Sequence, residues 1–87
     1  MITKTININS LDKIETFVDI INKFNGRFDL VSGCSIVNAK SIMAIFSLDI
    51  SRPVYLYIYN EDSADYVAKA LKDFEVNALQ IQEQLLA

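Results

Sequence analysis

The sequence predicts an α+β domain with the element order β-α-β-β-α-β-α, a four-stranded and mainly antiparallel sheet covered by helices on one face. Three observations lead there. The apolar period switches between two and about 3.6 residues along the chain. The runs Arg27 to Val31 and Cys34 to Val37 are separated only by Ser32-Gly33, the signature of a hairpin. Between Pro53 and Asn60 the chain alternates strictly, with Val54, Leu56 and Ile58 against Tyr55, Tyr57 and Tyr59.

Each element has its own local reason. Ile2, Ile6 and Ile8 alternate with polar neighbours, apart from Lys4, and read as the first strand. Leu11, Ile14, Phe17, Val18, Ile21 and Phe24 then fall at helical spacing. Asn9 or Ser10 can cap that helix, Asp12 lies in its positively polarised first turn, and Gly26 can adopt the left-handed conformation that ends it. Ser41 opens a second helix expected to reach about Asp49. Its apolar residues Ile42, Met43, Ile45, Phe46 and Leu48 are too many for one face, so some of them face water. Pro53 marks entry to the last strand, whose tyrosines fall on the sheet face away from the helices. A last helix starts near Asp62 or Ser63. It carries Val67, Leu71, Phe74, Ala78, Ile81 and Leu85 at spacings of four and three, an apolar seam that needs covering by its own domain or by a second subunit.

Composition bounds the function. Eighty-seven residues with 52% hydrophobic content, two glycines and one proline describe one globular domain. A formal charge of −3 supplies no basic footprint for nucleic acid or for an anionic membrane. No apolar run approaches the roughly 20 residues that span a bilayer, and the cytoplasm is the expected location. There is no histidine and one cysteine, so a transition-metal site would need an all-carboxylate set, and neither metal nor cofactor is expected. Cys34 lacks neighbouring basic residues and reads as an inert thiol. Glu61, Asp62 and Asp65 read as acidic residues at a helix N-terminus, since they lack the ordered spacing of a calcium loop.

One segment is far more specific than the rest. Val37 to Leu48 reads VNAKSIMAIFSL and strongly resembles the regulatory-serine segment of HPr, the small phosphocarrier of the bacterial sugar phosphotransferase system. Phe17-Val18 and Lys23-Phe24 fit that family's first helix, and Asp65 to Leu71 fits its last helix loosely. The resemblance runs from roughly Ile2 to Phe74. It implies the HPr-like open-faced β-sandwich over residues 1–75, with 76–87 as a helical extension of the last helix. In the family a segment resembling Leu-Gly-Leu-His-Ala-Arg-Pro-Ala enters the first helix, and its histidine takes the phosphoryl group. Counting back from Phe17 places Ser10 at the histidine position, Asp12 at the arginine position and Lys13 at the proline position. An unassisted serine hydroxyl is a weak nucleophile that forms a stable ester, and a carboxylate repels an incoming phosphoryl group.

The resemblance therefore implies a member without the phosphocarrier histidine and not an enzyme, closest in role to Crh, a relative that also lacks that histidine and acts in catabolite repression. Ser41 matches the serine that a dedicated kinase modifies, and it is either that regulatory site or a plain N-cap. Lys40 could pair with a phosphate there. Ile42, Met43 and Phe46 match the apolar residues around which the family's partners dock, unless some of them belong to the core. The implied partner is a protein, a kinase or regulator of the phosphotransferase system. The alternative reading is a structural, self-associating homodimer using Tyr55, Tyr57 and Tyr59 together with Ala78, Ile81 and Leu85. A third, phosphoryl acceptance at Ser10 or Asp12, runs against the chemistry above.

Overall fold

A computed structural model describes residues 1–76. The elements are β1 (Ile2–Ile6), α1 (Leu11–Ile21), β2 (Phe28–Ser32), β3 (Ser35–Asn38), α2 (Ile42–Ile45), β4 (Val54–Ile58), a single 3₁₀ turn at Glu61–Ser63, and α3 (Ala64–Ala70). This is the expected β-α-β-β-α-β-α order. The sheet order is β1-β4-β2-β3, and every pairing in it is antiparallel.

Cross-strand register decides which side chains share a face. Ile58, Leu56 and Val54 stand opposite Ile2, Lys4 and Ile6 of β1, and Phe28 and Leu30 of β2 stand opposite Ile58 and Leu56. That face receives the helices. Ile14, Phe17 and Ile21 of α1, Ile45 of α2 and Val67 of α3 join Phe28, Leu30, Val54, Leu56 and Ile58 in one buried cluster. The other face carries Tyr55 and Tyr57 beside Thr5, Thr3, Val31 and Asp29. An open-faced sandwich follows from strands that alternate and helices that supply only one apolar stripe each.

Several boundaries differ from the sequence reading. α1 stops at Ile21, before Phe24. Asn22 closes it, its side-chain amide donating to the Val18 carbonyl at 2.9 Å, while the Lys23 and Phe24 amides bond back to Ile20 and Ile21. Gly26 takes its left-handed conformation (φ +108°) later, at the entry to β2, instead of at the helix end. The hairpin turn is Gly33-Cys34, one residue beyond Ser32-Gly33, because Ser32 pairs with Ser35. Gly33 at φ +59°, followed by a residue without positive φ, fits a type II′ turn, whose first central position favours glycine.

α2 has four residues instead of the expected run to Asp49. The chain tightens after Ile45 through bonds from the Ser47 amide to Ala44 and from the Leu48 amide to Ile45. The Ser47 hydroxyl also donates to the Ala44 carbonyl at 2.6 Å, so the side chain competes with further helix. This turn lets Ile45 and Leu48 both reach the core.

The last helix needs the largest correction. α3 ends at Ala70 and the backbone turns through Leu71 and Phe74, so the apolar seam does not run as one helix. The turn brings Phe74 edge-on to Phe17, with ring centroids 6.3 Å apart, and returns Glu75 and Val76 to β1. The Val76 amide donates to the Thr5 carbonyl at 2.9 Å. Ala78, Ile81 and Leu85, and the expected extension beyond Val76, lie outside the described residues.

Candidate functional site

Ser41 stands where β3 hands over to α2. Its backbone is extended (φ −103°, ψ 106°), which leaves the side chain free to fold back over the next turn. The Ser41 hydroxyl oxygen accepts from the Ala44 amide at 3.3 Å, so it is an N-cap as expected. The approach to it is fixed by Asn38, whose side-chain oxygen accepts from the Lys40 amide at 2.9 Å and whose carbonyl accepts from the Ser41 amide at 3.1 Å. With only four residues α2 contributes little dipole. What it offers Ser41 is local: the Ile42 and Met43 amides, first in the helix, have no intrahelical acceptor.

The apolar residues of this segment divide. Ile45 is buried, and Ile42 is half-buried against the same core. Met43 is 74% exposed and Phe46 is 47% exposed. These two lie three residues apart and so share one side of the turn. Lys40 is committed inward. Its ammonium donates to the Phe24 carbonyl at 2.7 Å and lies 5.6 Å from the centre of the Phe28 ring, tying α2 to the end of α1.

Ser10 is the N-cap of α1, the hydroxyl accepting from the Lys13 amide at 3.3 Å. Asp12 is exposed in the first turn. Lys13 extends its ammonium to the Asn9 side-chain oxygen at 3.1 Å. α1 and α2 pack against each other, so the two capped serines belong to neighbouring elements on the helix side of the sheet. No imidazole is available beside either one.

No family model and no curated protein matches the chain. A solved structure does: the HPr-C-His protein of Thermoanaerobacter tengcongensis aligns at 32% identity with a TM-score of 0.70, covering 84% of this chain and 89% of that one. The chain belongs to the HPr family. The HPr fold accounts for the sheet order and for the placing of α1 and α2 on one face. It is the fold of phosphocarriers, held here by a sequence whose 87 residues include no histidine.

On the other face this HPr-like chain has a polar cluster that the sequence reading missed. Asp29 is 5% exposed. One of its carboxylate oxygens accepts from Arg27 Nε at 3.1 Å and from the Tyr59 hydroxyl at 3.0 Å, and lies 3.0 Å from Arg27 Nη2 as an ion pair. The Arg27 guanidinium also stacks 4.9 Å from the centre of the Tyr59 ring. A signal did exist. Arg27 and Asp29 are two residues apart in the run expected to be a strand, hence on one face, and the Tyr59 amide donates to the Arg27 carbonyl at 3.4 Å just beyond the ends of β2 and β4. Of the expected tyrosine row, Tyr55 and Tyr59 are exposed and Tyr57 is half-buried. Cys34 is exposed at the hairpin tip.

The hydrogen bond to Asp29 holds the Tyr59 phenol above its usual value of 10.0, with partial burial and the negative charge of Asp29 adding to the shift and Arg27 opposing it. A raised phenol favours the protonated form in the folded state. Its contribution to stability is complete below the unfolded value and disappears as pH climbs through the folded one. Asp29→Ala should therefore move the Tyr59 midpoint down toward 10, followed as phenolate absorbance and assigned by its loss in Tyr59→Phe. An unmoved midpoint would show that the carboxylate is not the cause.

Proposed function

We propose that this HPr-like chain is a regulatory, protein-binding module that does not carry phosphate on a histidine and is not an enzyme. Its role resembles that of Crh. It works in the cytoplasm with a protein partner, a kinase or regulator of the phosphotransferase system, and Ser41 is its phosphorylation site. The observation that carries this reading is the exposed pair Met43 and Phe46 set just beyond a capped serine, inside the stretch of greatest likeness to HPr. Counting back from Phe17 matches Ser10, an N-cap, to the family's histidine position and the exposed Asp12 to its arginine position, and neither supports carrier chemistry. A phosphate on Ser41 would exchange one accepted hydrogen bond for several stronger ones from the Ala44, Ile42 and Met43 amides, so modification is compatible with the fold.

Incubation with an HPr kinase and ATP, followed by mass spectrometry, tests this. One phosphate on Ser41 is expected, and none in Ser41→Ala, a variant that should remain folded because losing one half-buried cap costs about 1 kcal/mol. A chain that stays unmodified at Ser41 would remove the regulatory claim. In parallel, the phosphoenolpyruvate-dependent donor of the system should leave the chain unlabelled. Label at Ser10 or Asp12 would instead restore carrier chemistry.

A further inference from the structure

β3 lies at one edge of the sheet, and its bonding to β2 fixes which of its backbone groups face outward. Residues that exchange bonds alternate with residues that do not. The two-residue turn makes Ser32 and Ser35 a bonded pair, and the Ala39 amide, donating to the Phe28 carbonyl at 2.8 Å, keeps the same alternation at the far end. Ser35, Val37 and Ala39 thus turn their backbone groups toward β2, and Ile36 and Asn38 turn theirs outward. The Asn38 carbonyl is already taken by the Ser41 amide at 3.1 Å. Among the described residues no backbone group bonds to the Ile36 N–H or C=O. The side chains follow the same register: Ile36 stands beside Val31, Val31 beside Tyr55 and Tyr55 beside Thr5, one row across the open face. Val31 is covered within that row, whereas Ile36 at its end is 61% exposed.

We propose that the outer edge of β3 pairs antiparallel with β3 of a second copy of this chain, about a twofold axis at Ile36, so that the two sheets join into one. The two Ile36 residues then exchange both backbone bonds. A donor and an acceptor on one residue are both met when that residue meets itself, and the two Ile36 side chains cover each other at the end of the apolar row. On the helix side Ser35 falls opposite the half-buried Val37, and its small side chain leaves room there. Charge agrees with a like partner. A chain of net charge −3 repels its own kind, and Ser35–Asn38 is an uncharged stretch where two copies can approach. Natural sheets close a bare edge to such pairing with a charge, a proline or a bulge, and β3 is regular in its pairing and has neither charge nor proline. Asn38 falls opposite the hairpin turn of the other copy, so the contact is short and the dimer weak.

Sedimentation and NMR amide hydrogen exchange on the full chain test the pairing. For a dissociation constant of about 0.1 mM, mass action makes the Ile36 amide exchange about fourfold more slowly at about 1 mM chain than at about 20 μM. The Val37 amide, aimed at β2, should show no such dependence. Ile36→Lys sets two ammonium groups against each other across the axis, and Ile36→Pro removes the outward N–H while sparing the bonds to β2, so both variants should sediment as monomers at either concentration. The Leu56 amide, in the centre of the sheet, reports that each variant is folded. A parent chain that stays monomeric at the higher concentration overturns the proposal, as does a dimer that survives Ile36→Lys. Ile36 protection that does not change on dilution also overturns it, because the edge is then covered within one chain.

Discussion

Phe17→Ala is expected to lower stability by about 3–5 kcal/mol, most of what a chain this short has to lose. Phe17 has no exposed surface and is among the largest side chains enclosed in the core. It projects from the middle of α1 into the cluster, and its ring meets Phe74 edge-on. Truncation removes the ring's transfer free energy and leaves a cavity that a sheet held on both flanks by hydrogen bonds cannot collapse to fill. It also deprives Phe74 of the contact for which the chain turns after α3. Phe46→Ala is the matched control, since nearly half of that ring already faces solvent and its loss should cost well under 2 kcal/mol. Urea unfolding of the two variants decides the point. Comparable midpoints would mean that α1 is not anchored through Phe17.

Phe17 was legible in the sequence for the same reason that it matters: it falls in the center of a helical period bounded by a capping serine. Period and capping together also located β1, the hairpin and β4, because those signals are local and the tertiary contacts agree with them. The sequence misread the places where a long-range contact overrides a local pattern. α3 has the spacing to continue, yet Phe74 turns away to reach Phe17 and the backbone that follows pairs with β1. α2 has the apolar content of a longer helix, yet Ser47 binds the Ala44 carbonyl and a tighter turn buries Leu48. At the candidate site, Ser41 was readable as a cap. The division between Ile42 on the core and Met43 and Phe46 outside it was not, because five apolar residues in seven leave the inward face undefined by period alone. Lys40 read in the sequence as a residue that could pair with a phosphate on Ser41. Only the fold brings the Phe24 carbonyl within reach of its ammonium.

That division of the α2 segment makes the second large effect specific. Met43→Asp and Phe46→Asp are each expected to reduce kcat/KM for phosphorylation of Ser41 by an HPr kinase about 30-fold, the equivalent of roughly 2 kcal/mol, if the exposed pair forms the centre of the docking surface. Exposed methionine and phenylalanine gain from burial against a partner, and a carboxylate in either place would be desolvated there without a counter-charge. The hydroxyl that accepts the phosphate is untouched in both variants, so a loss of rate reports recognition and not chemistry. Stability separates this from a folding defect. Met43→Asp and Phe46→Asp should keep a urea midpoint close to that of the parent, whereas Ile42→Asp, at a position packed against the core, should not. Lys40→Ala should behave the other way round from the docking pair, shifting the midpoint through the lost bond to Phe24 while leaving kcat/KM within a few-fold. A Met43→Asp/Phe46→Asp double variant phosphorylated as fast as the parent would place the kinase contact elsewhere on the molecule.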